Sequence, residues 1–439
     1  MSATATSYDP IRKLLETATQ QIEKNELHEA AQTLNECQKL WPNDARVFML
    51  AGLMAEKSGN IPAAFDALRR SVAADPNWTP GELQLALLYS RRGMYDKAIK
   101  HAERLARREP NNALVLAHLV DFAHAAGNME LAIREIRRGL TYLPKDVQLR
   151  RVLANDLQVT GQRAEALEVW SSLIEDNPKD EMALLGRVTT LIEGGKPSAA
   201  TSDTTTLLEL SPGNTIYAYY SAIAHGVTPD HQPPELNRML FDSMAEGYDQ
   251  AVVRGLHYQL PKIVAEKIIQ RFPTKSLSVL DLGCGTGLLG VCLGRLDGFL
   301  IGVDISTKMI EQAARHEVYD RFHTVNMLDA LRETPGDIYE VITALDVFIY
   351  TGDLTATVPN AHRILMPAGD LYFSCEIAPE DGPDLVLQPS GRYAHKRSHV
   401  LALCKQAGFA DVQIEDLVLR DEAGGPVNGF LVTARKAAA

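Results

Sequence analysis

"DLGCGTG", residues 281–287, sets three glycines in five positions directly behind the short apolar run "LSVL". A strand feeding such a loop and then a helix opens a doubly wound α/β fold, and main chain stripped of side chains approaches a ligand closely there. Dinucleotides, nucleoside triphosphates and sulfonium nucleosides are all met by glycine loops. No G-K-[ST] follows, which excludes a Walker loop. The spacing is G-x-G-x-G rather than the pyrophosphate pattern G-x-G-x-x-G, although Gly290 loosely satisfies a longer pattern.

Downstream, "FLIGVD", "FHTVN", "EVITAL" and "DLYFSC" alternate with helical stretches, which predicts a parallel sheet covered by helices on both faces. The last two runs, "DVQIEDLVL" and "NGFLVTAR", are joined only by "DEAGGPVNG", too short for a crossover helix. They are expected to pair antiparallel at one edge. Asp304 in "IGVDIS", 17 residues beyond Gly287, ends the second strand, where an acidic residue holds ribose hydroxyls.

Upstream the chain repeats itself. Pro42, Pro76, Pro110, Pro144, Pro178 and Pro212 keep a step of 34 residues, as do Ala30, Ala64, Ala98, Ala132, Ala166 and Ala200. Gly59, Gly93, Gly127, Gly161 and Gly195 follow the same step, with Asn25 at the first turn. Each period reads as two helices: a turn residue able to take a left-handed backbone, a small Ala for close packing, and a Pro that ends the pair. After "VTPDHQPPELN", a Pro-rich linker, the pattern changes.

At 439 residues, with 46% apolar and 23% charged residues, the chain is long enough for two or three cores. It shows no apolar run of membrane-spanning length and no signal-peptide pattern at "MSATATSYDPIRK", so a cytoplasmic protein is expected. Five cysteines without a CxxC pair point to neither a disulfide frame nor a zinc site, and no metal is expected. From residue 230 onward 19 basic residues face 28 acidic ones within a net charge of −12, which argues against a nucleic-acid partner.

The periodic half resembles the tetratricopeptide repeat, with six copies over about 11–214 and "NTIYAYYSAIAHG" as a closing helix. "VLDLGCGTG", "GVDIS", "ALDVFIY", "LMPAGDLYF" and the final strand pair, over about 238–436, resemble the class I S-adenosylmethionine-dependent methyltransferases. "LFDSMAEGYDQAVVRGLHYQLP" and "SGRYAH" resemble bacterial proteins that fuse the two. The expected architecture is an all-α repeat solenoid over 1–228, a linker over 229–237 and a Rossmann-like domain over 238–439. That domain carries a mostly parallel seven-stranded sheet with an antiparallel terminal strand.

The resemblance implies S-adenosylmethionine as methyl donor, with S-adenosylhomocysteine as product. Gly283, Gly285 and Gly287 then pass the methionyl end, Asp281 adds negative charge for its ammonium, and Asp304 takes the ribose. Asn326 meets adenine, with Asp329 as the alternative or as a helix N-cap. Ile305, Met309, Met327 and Leu328 form an apolar slot or plain core. Tyr248 and Tyr258 close the pocket, and Asp346 lies beside it. No [DN]-P-P-[YF] follows the fourth strand, so planar amide and nucleobase nitrogens are disfavoured as acceptors. His257, Asp346, Tyr350, Glu376 and His395 are candidate bases. In "SGRYAH", Arg392 with Tyr393 and Glu376 is a candidate acceptor site, Arg392 binding a carboxylate or instead pairing with Glu376 or Asp384.

The expected activity is methyl transfer to an oxygen or nitrogen of a small molecule or peptide, with the repeats recruiting the acceptor or making a homodimer. A scaffold that only senses cofactor and a nicotinamide oxidoreductase are the competing readings.

Overall fold

The computed structural model describes residue 9 and residues 11–249, 256, 258–422 and 425–439. The chain divides into two compact units, 1–186 and 187–439. In the first, Arg12–Glu23 pairs with Leu27–Leu40 and Ala45–Lys57 with Ile61–Ala74. Thr79–Arg91 pairs with Tyr95–Arg108, Ala113–Ala125 with Met129–Tyr142, and Val147–Val159 with Arg163–Asp176.

The periodic residues sit where their chemistry requires. Ala30, Ala64, Ala98, Ala132 and Ala166 are each 0% exposed, inside the apolar cores of the repeats. The turn glycines at 59, 93, 127 and 161 take φ of 80°, 69°, 70° and 78°, and Asn25 takes 63°. A Cβ on any of those glycines would meet nothing within 4 Å, so the left-handed backbone and not crowding selects them. Each second helix stops two residues before its proline. Asn60, Asn112, Asn128 and Asp146 cap the following helices through their side-chain oxygens. The sixth repeat opens with Glu181–Glu193, and the division between the units falls inside that helix. Its partner Thr201–Leu210 and the closing helix Thr215–Ala224 belong to the second unit.

The rest of the second unit is built on one sheet. Its strands are β1 Val279–Leu282, β2 Leu300–Asp304, β3 Arg321–Thr324, β4 Tyr339–Ala344 and β5 Leu365–Ala378, followed by β6 Leu385–Leu387, β7 Tyr393–Lys396, β8 Phe409–Glu422 and β9 Gly425–Lys436. β3, β2, β1, β4 and β5 run side by side in parallel. β9 lies antiparallel along β5 from Asp370 to Glu376, and β8 pairs antiparallel outside β9. Neighbouring residues of a strand feed opposite cores: Val279, Val341, Tyr372 and Leu431 enter one, and Leu280, Ile342, Phe373 and Val432 the other. A sheet buried on both faces explains why these strands read as unbroken apolar runs.

The described residues form nine strands where seven were expected. The two extra strands, β6 and β7, form an antiparallel hairpin whose inner strand β7 runs parallel to the tip of β5 at Glu376–Ala378. They come from "LVL" and "YAHK", which are too short to register as strands in sequence; Gly391, at φ 78°, supplies the turn between them.

Candidate active site

Strand order reverses between β1 and β4, and a crevice opens at the carboxyl ends of strands placed that way. The cleft there opens to solvent and spans about 740 Å³. Gly283, Gly285, Asp304, Ile305, Met309, Asn326, Met327, Asp346, Tyr248 and Tyr350 all line it, so residues scattered over a hundred positions converge as the sequence suggested. A smaller cavity of about 370 Å³ shares Gly283, Gly285 and Tyr248 and adds Asp281 and Tyr258. Gly287, Leu328, His395, Arg392, Tyr393 and Glu376 line neither, Gly287 packing instead on Ala313 and Tyr319, and His257 lies outside the described residues.

The glycines of the loop do different work. Gly283 has φ 64°, and a Cβ on it would lie 2.3 Å from Val347 Cγ2, so this glycine lets the loop pack on the segment after β4. At Gly285, φ 53°, a Cβ would meet nothing within 4 Å; its bare backbone faces open space of the cleft. Asp304 closes the loop from the other side. Its Oδ2 accepts the Gly285 N–H at 2.8 Å and its Oδ1 the Ser306 N–H at 2.8 Å. Burial raises its pKa, opposed by those backbone donors. Each carboxylate oxygen keeps a second lone pair, which is what two ribose hydroxyls require.

Asp281 sits deeper. Its two oxygens accept from the Tyr319 and Thr343 hydroxyls, each at 2.7 Å, and burial pushes its pKa up to about 6. Asn326 caps the helix Met327–Glu333, its oxygen accepting the Leu328 N–H at 2.8 Å. That leaves its NH₂ as the group it can offer an adenine nitrogen, and it corrects the expectation that Asp329 is the cap; Asp329 lies exposed in the first turn.

Asp346 follows β4 with a left-handed backbone, φ 54°. Its backbone N–H donates to Ser374 Oγ at 2.8 Å; its Oδ1 accepts from that hydroxyl at 3.2 Å and its Oδ2 from Arg420 Nη1 at 2.7 Å. Arg420, 5% exposed, also meets Glu376 and, at 2.8 Å, Glu422. Arg392 approaches Glu376 at 3.2 Å and Glu422 at 2.6 Å. Two guanidinium groups thus serve three carboxylates behind the cleft wall. Arg392 is held by carboxylates of its own chain, the pairing that the sequence left open.

His395 is 2% exposed and bonds the Gly352 carbonyl through Nε2 at 2.8 Å. Burial drives its pKa down to about 4, so it is neutral at ordinary pH.

Sequence reasoning missed the helix Pro234–Met244. Asn237 and Phe241, one turn apart, line the cleft, and Phe241 stands edge-on to Tyr350 at 5.2 Å and to Tyr248 at 6.5 Å. The i, i+4 spacing of those two residues was the available signal. Among the described residues, Asn237 Oδ1 is buried with no donor, an acceptor awaiting a ligand N–H or O–H. This orphaned acceptor, the open face of Gly285 and the Asp304 carboxylate together fit an adenosyl cofactor with no phosphate. Among the described residues no cluster of His, Cys, Asp or Glu is arranged to hold a metal, and no helix is long and apolar enough to cross a membrane.

Comparison with known proteins matches residues 280–371 to a methyltransferase domain family and residues 15–77 and 89–155 to two tetratricopeptide repeat families. The ubiquinone biosynthesis O-methyltransferase of Hydrogenovibrio crunogenus is 25% identical over 219 residues, which cover 45% of this chain and 86% of that enzyme. The mitochondrial ubiquinone biosynthesis O-methyltransferase of Rattus norvegicus is 26% identical over 109 residues, and the chain spans only 31% of its length. The magnesium protoporphyrin IX methyltransferase of Synechocystis, solved with bound S-adenosylmethionine, matches 46% of this chain and 97% of its own at 20% identity and a TM-score of 0.36.

Proposed function

The chain being an S-adenosylmethionine-dependent methyltransferase preceded by tetratricopeptide repeats, we propose that it methylates an oxygen of a small acceptor, with Asp346 as the carboxylate that takes the acceptor proton. The observation carrying this reading is the placement of Asp346 on the cleft wall, beside the Gly283 loop and gripped by Ser374 and Arg420. Oxygen is favoured over nitrogen because the curated relatives are O-methyltransferases and because "ALDVFIY" lacks the nitrogen-directed motif.

S-adenosylmethionine, when bound, supplies a sulfonium methyl with a neutral thioether as leaving group. The protein has to align the acceptor in line and keep water away. Phe241, Tyr248 and Tyr350 form an aromatic wall suited to the second task. Asp304, Gly285, Asn237 and Asn326 hold the adenosyl end. Burial raises the pKa of Asp346 against the pull of Arg420, which makes its carboxylate a stronger proton acceptor than one in water. The repeats recruit the acceptor or join two copies, and the enzyme works in the cytoplasm, without nucleic-acid or membrane partners.

Two measurements test this. Calorimetric titration should show S-adenosylhomocysteine binding and no NAD binding; the reverse would return the oxidoreductase reading. Radiolabelled methyl transfer in a host lysate should place base-stable label in the small-molecule pool. Label confined to protein would remove the small acceptor.

A further inference from the structure

The segment 229–232, which reads as a linker in sequence, is woven into the wall of the cleft. His231 bridges Thr351 in antiparallel fashion, the Gln232 N–H donates to the Tyr350 carbonyl at 3.3 Å, and the Asp353 N–H donates to the Asp230 carbonyl at 2.6 Å. A Cβ at Gly352 would lie 2.4 Å from the Asp230 carbonyl, so glycine there lets the two backbones touch. Tyr350 and Thr351 are lining residues of the cleft.

The same segment is locked from behind. Tyr393, 0% exposed, donates its hydroxyl to the Pro229 carbonyl at 2.9 Å, and the Gln232 side chain donates to the Gly391 carbonyl. The Tyr219 hydroxyl, on the closing helix of the repeat array, lies beside the Gln232 and Tyr393 side chains. Tyr219 is 6% exposed, so this polar knot is enclosed. His395 bonds the Gly352 carbonyl. The stretch 350–353 is thus held through backbone atoms at each of its four positions.

We propose that residues 229–232, fastened by Tyr219 and Tyr393, are a positioning strap for the cofactor cleft: Gln232 and Tyr219 are positioning residues that keep the Tyr350–Thr351 wall in its binding geometry. The closing helix and the strap then belong to the catalytic machinery, and a methyltransferase domain beginning at residue 238 is incomplete. The inference rests on the cofactor assignment above.

The test titrates the full-length chain and its Gln232→Ala and Tyr219→Phe variants with S-adenosylhomocysteine, well below every thermal transition. Tyr372→Phe, which trims another buried hydroxyl far along β5, is the control. Losing the Gln232 side-chain bond, or the buried hydroxyl that Tyr219 sets beside it, should weaken binding about tenfold in the strap variants and leave the control unchanged. Equal affinity in Gln232→Ala, Tyr219→Phe and the parent would overturn the strap. A parent chain that fails to bind would overturn the cofactor reading itself and the strap with it, so the two failures are distinct. Because coupling is reciprocal, the ligand should also slow hydrogen exchange at the Gln232 and Asp353 amides of the unmodified chain. Unchanged exchange there would overturn the strap without reference to any variant.

Discussion

Arg420 donates to Asp346 at 2.7 Å across 74 positions of sequence, joining the end of β8 to the turn after β4. The pair belongs to a group built on the buried Arg420 and Glu376, in which Arg420 and the half-buried Arg392 face Asp346, Glu376 and Glu422. Removing one partner of such a group leaves a charge without compensation, and that costs far more than the intact pair contributes.

Arg420→Met should therefore cost about 3–5 kcal/mol of stability, read by denaturant unfolding. Arg420→Lys keeps the charge but not the three-way fork, and it serves for the chemistry. Burial raises the pKa of Asp346 and Arg420 pulls it back. Weakening that pull lifts the pKa further, so the acid limb of the rate profile, where Asp346 takes up a proton and stops accepting one, should move to higher pH in Arg420→Lys. A limb that stays in place would remove Asp346 as the base.

The loop glycines should fail in different ways. Gly283→Ala drives a methyl group into Val347 and should lower the melting temperature by several degrees. Gly285→Ala meets no protein atom but places a methyl in the cleft at φ 53°, so its affinity for S-adenosylhomocysteine should fall by at least as large a factor as that of Gly283→Ala, with a smaller loss of stability. Thermal melts and titrations on both variants decide this, and the opposite ranking would reverse the roles given to the two positions.

Asp304→Asn should bind S-adenosylhomocysteine about 30- to 100-fold more weakly, because a neutral amide loses charge-assisted acceptance of two hydroxyls. Its one oxygen still accepts from one of the two backbone donors at Gly285 and Ser306, so the domain should melt cooperatively, at a lower temperature than the parent. Undiminished affinity would take the ribose role away from Asp304.

Much of this was legible in sequence, for physical reasons. The 34-residue step survives because each repeat needs the same left-handed turn and the same small contact residue. β1, β2 and β4 are buried on both faces and show as apolar runs, and the Gly loop is fixed by backbone conformation. What escaped notice depends on partners remote in sequence. Arg420 looks like any basic residue on an exposed-edge strand until the fold places three carboxylates around it. The hairpin of β6 and β7 is too short for periodicity to reveal, and the strap at 229–232 meets the wall at 350–353 through backbone atoms, which carry no side-chain signal. Asn237 and Phe241 had only their spacing to mark them.

Asp281 should make stability depend on pH in the alkaline sense. Its folded pKa, about 6, lies above the ordinary value of 3.8, so the stability tied to its protonated form is complete below about pH 4 and is lost as pH rises through 6. Asp281→Asn removes that loss, and its melting temperature should exceed the parent's at about pH 8 while matching it near pH 4. If the carboxylate also draws the methionyl ammonium, the same variant should bind S-adenosylhomocysteine more weakly. Greater stability with unchanged affinity would leave Asp281 a purely structural acid.

His395 should show the reverse dependence. Its folded pKa, about 4, lies below the ordinary 6.5, so the stability tied to its neutral form is complete above pH 6.5 and is lost as pH falls through 4, by roughly 3 kcal/mol in all. His395→Gln keeps an N–H for the Gly352 carbonyl and does not titrate. Its melting temperature should be at or below the parent's at about pH 8, and the two curves should converge or cross as the solution is acidified. Parallel curves would mean that the imidazole is not the titrating group. Methyl transfer by His395→Gln at neutral pH should stay within about tenfold of the parent, because the ring does not line the cleft and holds backbone behind it. A loss of about a hundredfold or more, the scale of a missing general base, would move His395 from the wall into the chemistry.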